Sequence, residues 1–210
     1  MTELTLHDYE LDDGCYKVRL LLGMLDLPYA KVAVDVHPGR EQLSSKYLRL
    51  NPLGSLPILV DGEVLLHGPE AILAYLAQTY DPSRAWLPGE PATFGAVMLW
   101  LGFASGELRA ASLARLHHML EVEADEAAVD RQSRRAFRIM DDHMTQREFD
   151  GGQWFAGSTP TIADIALFPG IALSRDFGIE HDEFPALRRW MRRIRGIPGF
   201  LTMPGIPAYH

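Results

Sequence analysis

Residues 51–77, NPLGSLPILVDGEVLLHGPEAILAYLA, carry the signals of two strands, a hairpin turn and a helix start in one unbroken stretch. The apolar runs on either side of Asp61-Gly62 read as strands, and Asp-Gly is a strong hairpin pair. Gly68 and Pro69 stop the second run. Ala71, Ile72, Ala74, Tyr75 and Leu76 then continue at helical spacing. Proline suits the first helical position, because its missing N–H has no intrahelical partner there anyway. A helix that begins just after a strand offers free N–H groups and a positive dipole end, a seat for an anion. Pro57 stands immediately before a strand, where it cannot donate to a ladder. Its position fits either a cis Leu56–Pro57 bond in a tight turn or an ordinary trans proline at a strand start. A tight turn there presents the backbone of Leu56 for a ligand to pair with as an added strand.

Towards the N-terminus, LTLHD (4–8) reads as a strand and CYKVRLLLGMLDL (15–27) as a helix. YAKVAVDV (29–36) alternates with period two and reads as a strand, and EQLSSKYLRL (41–50) as a short helix. The order β-α-β-α-β-β-α predicts a small mixed sheet with helices on its faces. YDPSRAWLPGEPAT (80–93) holds three prolines and reads as a linker. Beyond it the periodicity is helical throughout, over roughly 91–120, 124–147, 161–175 and 184–195. The expected organisation is an α/β unit over 1–80, a linker over 81–90 and an all-helical unit over 91–210.

The 210 residues are 47% hydrophobic, ample for a packed core, and carry a net charge of −8. That acidic balance argues against nucleic acid or anionic membrane as a partner. No window approaches the roughly 18–20 apolar residues of a membrane span. The opening MTELTLHDYE lacks the pattern of a secretory signal, so a cytoplasmic location is expected. The arginines of LRRWMRRIRG (187–196) read as a solvated helix face, with a contact surface as the alternative.

Cys15 is the only cysteine, which fits a reducing compartment and excludes a dithiol C-x-x-C mechanism. It lies at a helix start, where the dipole favours a thiolate, but behind Asp12 and Asp13, whose charges disfavour one. The alternative is a buried, inert cysteine. Thr161 and Asp164 have capping-box spacing and read as a folding element. The adjacent His117 and His118 lack ligand spacing, so no metal is expected. Nucleotide-binding glycine motifs and the hydrolase serine elbow are absent from the sequence. Leu99, Trp100, Phe103 and Leu108 suit either a pocket lining or the core.

Together, GCYKVRLLLGMLDLPYAKVAVDV, YLRLNPLGSLPILVDGEVLL, EAILAYLAQTYDP and TPTIADIALFP resemble a bacterial cytosolic glutathione S-transferase, in the same order along nearly the whole chain. The resemblance implies a thioredoxin-like N-terminal domain, an all-helical C-terminal domain and a homodimer. It also implies glutathione as co-substrate, without a metal, and a small apolar electrophile or a disulfide as second substrate. Leu56-Pro57 matches the family's cis-proline turn, which pairs with the cysteinyl part of glutathione. Cys15 matches the cysteine of bacterial classes that work through a mixed disulfide, and so becomes the candidate catalytic residue. The catalytic serine of other classes falls at Asp12; the N–H groups of Gly14 and Cys15 are the alternative holders of a thiolate. The family's acidic-Ser pair, whose serine binds the γ-glutamyl carboxylate, falls at Gly68-Pro69. Proline removes both the hydroxyl and the N–H, each hydrogen bond to a charged group contributing about 1.5–3 kcal/mol. Glu70 adds a negative charge at the same helix end. Two functions follow from this: a glutathione S-transferase-like enzyme, or a non-catalytic binding or scaffold protein with a degraded glutathione site.

Overall fold

A computed structural model describes residues 4–206. Strand β1 (Leu4–Asp8) turns Leu4, Leu6 and Asp8 inward, as its alternation requires. Helix α1 (Asp13–Met24) follows, and β2 (Tyr29–Ala33) returns parallel to β1, with Leu4 opposite Tyr29 and Asp8 opposite Ala33. Strand β3 (Ile58–Asp61) lies antiparallel to β1, and β4 (Val64–His67) antiparallel to β3. The sheet order is β2-β1-β3-β4. Asp61 ends β3 opposite Val64, so the turn residues are Gly62 and Glu63, one position later than the Asp-Gly pair suggested.

Helices α2 (Ser45–Leu50) and α3 (Pro69–Tyr80) complete the first half. Two expectations change here. The strand predicted over 29–36 stops at Ala33, although Val34 N–H still bonds the Asp8 carbonyl. The helix predicted over 41–50 divides into a 3-10 turn, Glu41–Leu43, and α2, because Ser44 leaves the helical region to cap α2 with its hydroxyl. Both His37–Pro38 and Leu56–Pro57 are cis peptides.

Residues 81–90 form neither helix nor strand. They lead into α4 (Pro91–Ser105), α5 (Arg109–Leu120), α6 (Glu126–Phe149), α7 (Ile162–Ala172) and α8 (Pro185–Arg195). The single helix expected over 91–120 is therefore two. Its break is at Gly106, whose backbone leaves the helical region while its N–H still reaches the Gly102 carbonyl. Every residue of α7 is buried, and it packs against α1, α3, α4, α5 and α8. Its capping box is formed: Thr161 Oγ1 accepts from Ala163 N, and Asp164 Oδ2 accepts from Thr161 N at 2.9 Å. Asp164 Oδ1 also takes Phe155 N and Trp190 Nε1, at 3.1 and 2.8 Å. Among the described residues, no helix is long and apolar enough to cross a membrane.

Candidate functional site

Three chain segments meet at Gly14. A β-carbon there would lie 3.1 Å from Asp12 Oδ1, 3.3 Å from Pro57 Cδ and 3.3 Å from Pro69 Cγ. The start of α1, the cis turn before β3 and the start of α3 thus approach each other around one residue that has no side chain. The local causes differ. Asp12 caps α1, its Oδ1 accepting from Cys15 N at 2.6 Å. Gly68 has φ +84, a conformation that suits glycine, and so turns the chain from β4 into Pro69 at the first position of α3. Glu70 follows, and its carboxylate pairs with the buried amine of Lys17 at 3.0 Å. The negative charge that the sequence adds at this helix end is therefore balanced by α1.

The loop between β1 and α1 is held by cations. Arg19, buried in α1, pairs with the fully buried Asp8 and donates to the Tyr9 carbonyl at 3.3 Å and the Glu10 carbonyl at 2.9 Å. Lys31 of β2 reaches Asp8 from the other side at 3.1 Å.

This arrangement coincides with known sequence patterns. Residues 6–84 match the model described as glutathione S-transferase, N-terminal domain, and residues 103–198 match glutathione S-transferase, C-terminal domain. The chain belongs to the glutathione S-transferase family. It is, on that membership, a glutathione transferase enzyme with the thioredoxin-like and helical halves expected. The maleylacetoacetate isomerase of Pseudomonas aeruginosa is 30% identical to this transferase over 217 residues, covering 98% of this chain and 100% of that protein. A glutathione S-transferase structure from Pseudomonas fluorescens superposes with a TM-score of 0.86 at 25% identity, covering 96% of this chain and 98% of the other. A glutathione transferase homologue from Drosophila mojavensis, solved with bound glutathione, gives a TM-score of 0.81 at 27% identity, covering 94% and 90%.

Within the transferase, the predicted site residues divide into two groups. Gly14, Pro57 and Pro69 come together, with Leu56, Gly68 and Glu70 as their chain neighbours. Cys15 is next to them in sequence but has no exposure to solvent. Its Sγ accepts from Tyr9 N at 3.4 Å, and burial, then the Asp12 charge, push its thiol well above the usual thiol range. Such burial counts against the mixed-disulfide role expected of Cys15, which needs an accessible thiolate. The cause is packing: every residue of α1 from Gly14 to Leu22 is buried. Asp12 is only half-buried, and burial, then the Asp13 charge, push its carboxyl up to about 6.

The helical half contributes residues that the sequence did not single out. Ser112 of α5 donates to Asp13 Oδ2 at 2.5 Å. Arg115, also on α5 and buried, donates to the Leu11 carbonyl and pairs with Asp176 at 2.7 Å. The available signal was a charge inside an apolar helical run, as with Lys17 and Arg19 in CYKVRLLLGM and Arg115 in AASLARL. The four apolar residues that suited either a pocket lining or the core divide between the two. Trp100 packs on Phe103 and Phe155 and faces a cleft with Leu99, His143 and Arg147, while Leu108 is buried against Gly170. Five α8 arginines were expected on a solvated face; Arg188, Arg189 and Arg193 are tied there to Asp182 and Glu148.

Proposed function

We propose that this transferase binds glutathione across the Leu56-Pro57 turn and the Gly68-Pro69-Glu70 helix start, with its sulfur at the opening of α1. The convergence of Pro57 and Pro69 on Gly14 carries this reading, because it leaves the first N–H groups of α1 beside both proposed glutathione segments. Those groups precede the first intrahelical donor, Tyr16 N, and so have no partner within the helix itself. Cys15 N is already taken by Asp12, which makes Gly14 N–H the main thiolate holder and relieves Cys15 Sγ of a catalytic role. Positive potential at the helix end lowers the thiol pKa and supplies nucleophile at neutral pH.

The second substrate is a small apolar electrophile or a disulfide, brought alongside the activated sulfur so that attack becomes effectively unimolecular. At the α3 start, the Lys17 amine offsets Glu70 and leaves room for the γ-glutamyl carboxylate although Pro69 donates nothing. Residues 1–80 act as the glutathione-binding domain, 81–90 as linker and 91–210 as the domain facing the second substrate. Two copies form a homodimer in a reducing, cytoplasmic setting, without metal, nucleic acid or membrane.

Titration calorimetry with glutathione tests the reading. Binding with a Kd below about 1 mM is expected, equivalent to about −4 kcal/mol. A folded protein that releases no heat at millimolar glutathione would instead be a binding or scaffold protein on the transferase fold.

A further inference from the structure

Arg115 reaches from α5 to the carbonyl of Leu11, the residue immediately before the α1 cap. Its partner in the helical half is Asp176, 2.7 Å from Nε. Gly205, near the end of the described chain, closes over that carboxylate, where a β-carbon would lie 2.5 Å from Asp176 Oδ2. Two bonds from Arg19 already hold the preceding carbonyls, Tyr9 and Glu10. Three consecutive carbonyls of the β1–α1 loop therefore end on two buried guanidinium groups, one from each half of the molecule. Ser112, one turn before Arg115, adds a bond to Asp13 on the far side of the cap.

Arg115 is 3% exposed, and its Nη2 has no hydrogen-bond partner among the described residues. A buried ion pair is weak evidence for net stability compared with apolar residues of the same volume, and setting a registry is its best-attested use. The carbonyl Arg115 holds, that of Leu11, immediately precedes the α1 cap and the first N–H groups of the helix.

We propose that Arg115 is a positioning residue for the transferase site: by pinning the Leu11 carbonyl, it aims the Asp13 and Gly14 N–H groups at the thiol of the bound co-substrate. Through it, the helical half sets the reactivity of a thiol bound mainly by the other half. The proposal rests on the glutathione reading above for its catalytic consequence, and on the loop geometry alone for its structural one.

Arg115→Lys keeps the charge and the pairing with Asp176 but cannot bridge both acceptors in the fork geometry of a guanidinium. Hydrogen exchange of the backbone amides over residues 9–15 is expected to accelerate by about tenfold or more, while those of α7 stay unchanged. In turnover of glutathione with a chlorodinitrobenzene, kcat is expected to fall by about tenfold, with the KM for glutathione within about twofold, because Pro57, Gly68 and Pro69 are untouched. The pH at which the bound thiol ionises, followed by thiolate absorbance, moves upward in the variant.

Ser112→Ala, which removes a single partly buried hydroxyl, should show the same pattern at smaller amplitude and guards against a misfolded Arg115 variant. Unchanged exchange over 9–15 in both folded variants overturns the proposal whatever glutathione does. Equal losses of kcat and thermal stability with the conservative lysine also overturn it, in favour of a structural role. A wild-type protein that neither binds nor turns over glutathione overturns the functional reading instead, and leaves the exchange measurement to decide the role of Arg115.

Discussion

At the start of α7 the Asp164 carboxylate collects Thr161 N, Phe155 N and Trp190 Nε1, and the site is sealed; at the start of α1 the half-buried Asp12 carboxylate accepts from Cys15 N beside a glycine. Burial pushes both carboxyls up to about 6. The same cap chemistry thus serves two purposes. Around Asp164, three segments are fastened together and nothing further can approach. Around Gly14, itself buried, the α1 cap, the Leu56-Pro57 turn and the start of α3 close to within 3.1–3.3 Å of where a β-carbon would stand. What separates the two is what each carboxylate holds: donors from three segments at Asp164, and the Cys15 N–H of its own helix at Asp12.

The largest effect should come from breaking the closed end. Asp164→Ala strips partners from buried donors on three segments, at about 1–3 kcal/mol for each unsatisfied group. A loss of about 4 kcal/mol or more in urea denaturation, or failure to fold, is expected. A loss below about 1 kcal/mol would mean that α7 is not held by this carboxylate.

The open end should respond in function instead. Gly14→Ala gains up to about 1 kcal/mol in helix propensity but presses on Asp12, Pro57 and Pro69, so stability should change by less than about 1 kcal/mol. Glutathione affinity should fall by about tenfold, or about 1.4 kcal/mol, in calorimetry. Unaltered affinity would make this end as purely structural as the other.

The pH dependence of folding distinguishes the two ends next. Both acids hold their proton more tightly in the folded chain than at their ordinary value of 3.8. Their contribution is therefore complete below that value and lost as pH rises through about 6, so these groups make stability fall across that interval. Asp12→Asn should remove part of that slope and leave the Asp164 part, read from chemical denaturation at a series of pH values. An unchanged slope would place Asp12 in a more watery setting than the structure gives it.

The smallest effect belongs to Cys15→Ser. Turnover should stay within about twofold of wild type, the outcome that follows when, as proposed, the Gly14 N–H and not the buried thiol holds the co-substrate sulfur. Iodoacetamide should label wild-type Cys15 slowly in the folded protein and quickly in urea. Lost turnover in a folded Cys15→Ser protein would restore the mixed-disulfide mechanism.

Much of this was legible in the sequence for a local reason. Strand alternation, the Asp61-Gly62 signal, proline at a first helical position and the Thr161–Asp164 spacing each depend on residues within about four positions of one another. The same locality explains the misses. Nothing in the period of residues 91–120 marks Gly106 as a break, because one glycine is tolerated in many helices. The reactive reading of Cys15 weighed the dipole and two carboxylates, but the burial of Cys15 and the packing of α1 against α3 and α7 are not encoded near residue 15.

By itself, then, the sequence determined the sheet-then-helices plan, the order of strands and helices in the first half, and the three short segments that meet at Gly14. Only the tertiary structure decided which polar groups are enclosed and what they hold: Lys17 against Glu70, Arg19 on Tyr9 and Glu10, and Arg115 on Leu11, a partner 104 positions away in the chain. The reason is physical. Periodicity reports which face of an element is apolar, but a buried charge is satisfied by whatever segment packing brings beside it, at any separation along the chain.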